Sequence, residues 1–351
     1  MGTIKRTFAN SLTGTGKLDA TNLDSNIPAA NVADASVTNV TTLPEAIGQA
    51  IKSVAGSPPS QAVGDVWYNS VTGTLKNYVT VADAWASGGN LGTARYNAAG
   101  AGTQTAALAF GGVPITASTE EYNGSVWSPG GNLGTARQKL GGLGTQTAGL
   151  GFGGLTPTIT ANTEEYDGTS WSEQNNLSTA TDSLAGAGTQ TAGLAFGGLN
   201  PSATGVTEEY DGTSWTTSPG SLNTARDRLA GAGTQTAALA FGGEPTTGVT
   251  EEYNGTTWTE VNDMNEARQR LAGAGNQTEA LAFGGTPPAA GQTEKWNGTS
   301  WTTTTAMVVP IQSNAGAGTQ PAAISFTGNP DTDNTQEFTG AFNAIKTVTT
   351  S

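Results

Sequence analysis

The sequence predicts an all-β fold: a β-propeller of four-stranded blades, preceded by an N-terminal extended arm and a short helix. Three observations predict it. The Trp residues at 127, 171, 215, 258 and 301 recur at spacings of 44, 44, 43 and 43. Gly and aromatic residues hold fixed places within each unit, and an Asn-Gly or Asp-Gly pair stands at the same point of five of them. Fifty glycines without a period would suggest disorder, whereas glycines locked to a repeat suggest short strands and tight turns.

From the N-terminus, residues 1–60 form a region apart. The first 40 are polar, with isolated apolar residues such as Leu18, Ile27 and Val37 and neither helical nor strand periodicity. The stretch TTLPEAIGQAIKSVAGSPP predicts a helix at about 43–55. Thr42 is placed to cap it, Pro44 and Glu45 suit its first turn, and Pro58 and Pro59 end it. Leu43, Ile47, Ile51 and Val54 share one face of that helix. So short a helix is marginal alone, so the stripe is expected to contact either the chain's own propeller or a partner. Residues 61–351 are expected to form the propeller.

Within it, residues 64–85 supply a strand near Val66–Tyr68, another near Leu75–Val79, and then Trp85. They read as the last three strands of a unit whose first strand is missing. Six units follow over most of 90–345. Each has an inner strand such as RLAGAGT, a second such as TAALAF ending in Gly-Gly, a third such as TEEY, and a fourth such as TSWT. The pairs Asn123-Gly124, Asp167-Gly168, Asp211-Gly212, Asn254-Gly255 and Asn297-Gly298 provide the positive φ of a two-residue hairpin between the third and fourth. Landmark aromatics run through Phe110, Phe152, Phe196, Phe241, Phe283 and Phe326, then Tyr122 to Phe338, then the Trp series with Phe342 in last place. The tail IKTVTTS is a candidate for the missing strand. Seven blades, one zipped from both ends of the chain, is the preferred count, and six with 64–85 as a separate hairpin is the alternative. A four-stranded sheet of this size cannot bury both faces alone, and closing a ring of such sheets removes most exposed edges.

Composition narrows the chemistry. A formal charge of −14 opposes binding to a phosphate backbone, and the 14 Lys and Arg look scattered, so no nucleic-acid partner is expected. With no Cys and no His, disulfides, thiolate nucleophiles, Cys/His zinc sites and His-based triads are all excluded. No stretch is apolar enough to span a bilayer, so no membrane insertion is expected, and the N-terminus has no apolar core of signal-peptide length. No cofactor is implied.

In an antiparallel meander, the 2–3 and 4–1 connections leave on one face. The 2–3 connections are also the ones that differ between units, so a binding surface is expected there. Its candidate residues are Pro114, Ile115, Thr156, Thr158, Asn200, Ser202, Glu244, Thr246, Pro287, Asp331 and Asp333. Drift in unconstrained loops is the plain alternative. The doublets Glu120-Glu121, Glu164-Glu165, Glu208-Glu209 and Glu251-Glu252 could suggest glycoside hydrolysis, which needs two carboxyls converging on one bond. Adjacent residues of a strand face opposite ways, so structural pairing with Arg95, Arg137, Arg226 and Arg268 is the expectation. Asp331 and Asp333 lack a full ligand loop for a cation.

The Gly-Gly doublet after an apolar strand, followed by the Tyr and then the Trp at this period, resembles the kelch motif over roughly 250 residues. The resemblance implies a kelch-like β-propeller whose Tyr and Trp pack between neighbouring blades. The arm followed by GDVWYNSVTGTLKNY resembles the start of tail-fibre and other appendage proteins of bacterial viruses. That implies a virion protein, not an enzyme, anchored to other virion proteins through its arm, with a homo-oligomer such as a trimer in view. The propeller would meet a host surface glycan or protein. A purely structural head-decoration or tail-collar part is the alternative, and a carbohydrate depolymerase the third reading.

Overall fold

The computed structural model describes residues 52–54, 56–58, 60–287 and 291–347. Among these described residues every element is a strand, and the strands form seven four-stranded sheets. The chain divides into two compact units, one comprising 83–340 and the other the residues on either side of it.

The first unit holds six sheets. Blade 1 consists of Ala99–Thr103, Ala106–Phe110, Thr119–Tyr122 and Trp127–Pro129 in simple antiparallel order. Blades 2 to 5 repeat this plan over 141–174, 185–217, 230–260 and 272–304. Blade 6 takes three strands from 315–339, and its outer strand is Ala84–Ser87, from the other end of the unit. Inner strands pack in sequence from blade 1 to blade 6, and that of blade 6 packs against that of blade 1. The ring is therefore a propeller closed by six blades, the smaller count the sequence allowed.

Inner strands must approach closely around the axis, which explains their Gly/Ala composition. A Cβ on Gly100 would stand 2.7 Å from Phe326 Cζ and 2.9 Å from the Gly316 carbonyl, so no side chain fits. The second strands bury almost every residue, with Leu108, Ala109 and Phe110 wholly inaccessible. Each blade's Phe rests on the Trp of the next, with ring centroids 4.7–5.3 Å apart, as in Phe110–Trp171, Phe152–Trp215 and Phe326–Trp127.

Three hydrogen-bond motifs lock the seams. The indole N–H of each blade's outer-strand Trp donates to a Thr hydroxyl of the preceding blade at 2.9–3.0 Å: Trp127 to Thr335, Trp171 to Thr119, Trp215 to Thr163, Trp258 to Thr207, Trp301 to Thr250 and Trp85 to Thr293. The Gln of each 1–2 turn donates to two carbonyls of the preceding blade, as Gln190 does to Gly149 and Tyr166. Gln104 does the same to Ala323 and Phe338, across the point where blade 6 meets blade 1. Tyr122, Tyr166, Tyr210 and Tyr253 donate their hydroxyls to Glu337, Glu121, Glu165 and Glu209 of the preceding blade.

Trp85, not Phe342, completes the Trp series. It pairs across from Phe338 as Trp127, Trp171, Trp215 and Trp258 pair across from Tyr, and it meets Phe283 edge-on. Phe342 is half exposed and opens the strand Phe342–Thr347 of the second unit.

That unit contains the seventh sheet, assembled from both ends of the chain in the order Lys52–Val54, Val66–Asn69, Thr74–Val81, Phe342–Thr347. The tail supplies a strand, as expected, but beside Thr74–Val81 rather than beside Val66–Asn69. The remaining edge is filled by Lys52–Val54, which runs parallel to Trp67–Asn69. The expected helix therefore does not reach its end at 55. Those three residues meet their backbone hydrogen-bonding needs through a neighbouring strand, including the Val54 carbonyl, which accepts from Ser70 N. Val54 is half-buried there, whereas Leu43, Ile47 and Ile51 lie outside the described residues.

Candidate functional site

The site is the face of the ring that carries the 4–1 and 2–3 connections. The two sets lie together, because a residue of each 4–1 connection bridges to the neighbouring 2–3 loop: Tyr96 to Val113, Gln138 to Leu155, Asp182 to Leu199, Asp227 to Glu244, Gln269 to Thr286 and Gln312 to Asn329. The next residue of each connection stands at the axis. These six are Asn97, Lys139, Ser183, Arg228, Arg270 and Ser313, each two residues before an inner strand.

All six have φ of 53–57°. Their main chains join in a closed circle of hydrogen bonds at 2.8–3.0 Å, in which each N–H donates to the carbonyl of the equivalent residue one blade back and Asn97 donates to Ser313. With main-chain donors and acceptors committed to one another, only the side chains are offered at the axis. They line a cavity of about 110 Å³, together with Ala98, Leu140, Leu184, Leu229, Leu271 and Asn314. The four leucines are buried. A polar rim thus stands over an apolar lining.

The rim is cationic. Three of the chain's 14 Lys and Arg converge here, in a protein of formal charge −14, so the basic residues are not evenly scattered. Arg228 Nε lies 3.6 Å from Asp227 Oδ2. Burial raises the Asp227 carboxyl above the ordinary carboxylate value, Arg228 opposes that rise, and Glu244 and Asp182 add to it. Among the described residues, Lys139 and Arg270 form no ion pair.

The loop residues singled out from sequence surround this rim without converging on one point. Pro114, Ile115, Thr158, Ser202, Thr246, Pro287 and Asp331 are exposed, and Thr156, Asn200 and Asp333 are half-buried. Glu244 alone is drawn into the axial electrostatics, through its bridge to Asp227. Among the described residues, Asp331 and Asp333 belong to no group of three or more acidic residues that could hold a metal ion. The six axial residues escaped the sequence reading. Their signal was the one used for the loops, a slot reading Asn, Lys, Ser, Arg, Arg, Ser inside an otherwise repeated unit.

The Glu doublets are divided between two structural duties. The first Glu is buried against an Arg of its own blade in three of the four doublets, Arg95–Glu120 at 3.1 Å, Arg137–Glu164 at 2.9 Å and Arg226–Glu251 at 2.6 Å, whereas Glu208, whose blade has Thr181 in the Arg position, accepts from Ser178 N and Thr179 N. Burial lowers these guanidinium pKa values and the carboxylates push them back up. The second Glu accepts the Tyr hydroxyl of the next blade. Where blade 5 carries Trp296 in place of Tyr, Glu252 receives no such bond, and desolvation raises its carboxyl above the ordinary value.

The chain matches no protein-family model and no curated protein.

Proposed function

We propose that this chain is a non-catalytic binding protein, an appendage component of a bacterial virus whose propeller engages a host surface component through the face bearing the 2–3 loops and the axial rim. One observation carries the reading. On a scaffold whose seams repeat the same Trp–Thr and Gln–carbonyl bonds in every blade, side-chain variety gathers on a single face. A repeated backbone presenting different side chains at equivalent positions suits recognition. The resemblance of residues 64–85 to appendage proteins supports the setting, and residues 1–60 would hold the chain to its assembly, with a trimer as a natural form for a fibre.

The acidic doublets do not suit hydrolysis, because three of the four first Glu residues are sequestered with an Arg, Glu208 is held by the backbone N–H groups of Ser178 and Thr179, and most second ones accept a Tyr hydroxyl. Passing the purified chain over immobilised host envelope polysaccharide tests the reading. Saturable binding without released oligosaccharide is expected. Absence of binding would favour a purely structural role, and released sugar would establish a depolymerase. Immunolabelling of intact particles tests the virion assignment, with label at the tail expected and none on the particle refuting it.

A further inference from the structure

We propose that the axial rim is an oxyanion site that takes a single carboxylate or sulfate group of the surface ligand, held by Lys139, Arg270 and Arg228 with Ser313 and Asn97 as further donors. In naming the ligand's chemistry, this rests on the binding reading above.

The side chains point the same way. Each of the six carries a side-chain donor, that of Ser183 being turned to Asp182 Oδ1 at 2.7 Å, and three are cations, while none is acidic, although the chain has 28 Asp and Glu against 14 Lys and Arg. The backbone adds a second argument. A left-handed φ costs a non-glycine residue about 1 kcal/mol, and a glycine would adopt it freely. Gly111 and Gly112 do so nearby with φ of 68° and 120°, yet glycine occupies none of the six axial positions. Side chains are kept at the axis against the local conformational preference of the chain.

Size and surroundings set the ligand. A cavity of about 110 Å³ holds a group rather than a molecule, since sites for whole small molecules run to roughly 300 Å³ and above. The buried leucines lower the local dielectric, which strengthens attraction between the rim and an anion. Of the nearby carboxylates, all in the outer circle, Asp227 pairs with Arg228, Asp182 accepts the Ser183 hydroxyl, and Glu244 stands at the bridge to Asp227. Lys139 and Arg270 therefore carry the uncompensated positive charge.

Thermal unfolding with millimolar sodium sulfate, against sodium chloride at equal ionic strength, tests the site. The double variant K139S/R270S is the partner measurement. Serine already occupies the same slot at 183 and 313, and the Arg228–Asp227 pair stays in place. At sulfate some tenfold above its Kd, the native chain should melt roughly 3 °C higher than in chloride. The double variant should lose that difference, and Ser183→Arg should enlarge it. Equal responses in native chain and double variant would reduce the effect to general salting and overturn the site, as would no response in either. On immobilised polymers, dextran sulfate should bind and neutral dextran should not; the reverse refutes the proposal. Envelope binding that survives in K139S/R270S would sink this inference and leave the binding function standing. Sulfate binding without envelope binding would do the opposite.

Discussion

The seams between blades and the mouth at the axis are built from the same repeat, yet they use it in opposite ways. At the seams, backbone and side chains both recur: every junction has a Trp indole on a Thr hydroxyl and a Gln amide on two carbonyls. At the mouth, only the backbone recurs, in a circle of hydrogen bonds, while the side chains change from blade to blade. The difference separates what holds the ring from what it can present. A seam residue answers to two blades at once, so change there costs stability. An axial side chain leaves its backbone bonds intact whatever it is.

The seam side of that comparison breaks most visibly at Trp215→Ala. The variant removes a buried indole from Phe152 and Tyr210 and strips Thr163 of its donor. A loss of about 3–5 kcal/mol in denaturant unfolding is expected, and a loss below 1 would show that the seam is not the source of stability. Gln190→Ala leaves two carbonyls without their side-chain donor and should cost about 1–3 kcal/mol by the same measurement.

The seam tyrosines give a pH signature. Burial, then the hydrogen bond to Glu, pushes Tyr122, Tyr166 and Tyr253 up to about 12, from an ordinary 10.0. A raised folded pKa means a contribution that is complete below pH 10 and disappears as pH climbs toward 12. Unfolding free energy should therefore fall across that window, and less steeply in Tyr166→Phe. A flat profile would place these hydroxyls in water.

On the mouth side, K139S/R270S should shift stability by no more than about 0.5 kcal/mol, and a larger loss would make those residues part of the scaffold. The smallest effect is expected at Glu252→Gln, the seam position that faces Trp296 instead of a Tyr. Its raised pKa disfavours the ionised form, so its contribution is lost as pH rises through the folded value. The amide should melt slightly higher at pH 7, and an unchanged or lower melting temperature would show that the carboxylate has support of its own.

Much of the ring was legible because its signals are local. The Asn-Gly and Asp-Gly turns, the strand lengths, the Gly/Ala inner strands and the pairing of Arg95, Arg137, Arg226 and Arg268 with Glu all follow from residues within one unit. The tail strand was legible as a strand, though its neighbour was not. Lys52–Val54 misled because its apolar spacing suits a helix, while the strand Val66–Asn69 had an open edge.

The sequence by itself determined the repeat, the four-stranded unit and the aromatic residues each unit buries, since turn chemistry and side-chain periodicity act over a few residues. Only the tertiary structure decided how many units close the circle, because Ala84–Ser87 joins blade 6 through pairing with residues some 250 positions away. It also decided which Glu meets which Tyr and that Lys139, Arg228 and Arg270 stand together. Those relations depend on the angle between successive blades and on the distance to a common axis, which no single unit encodes.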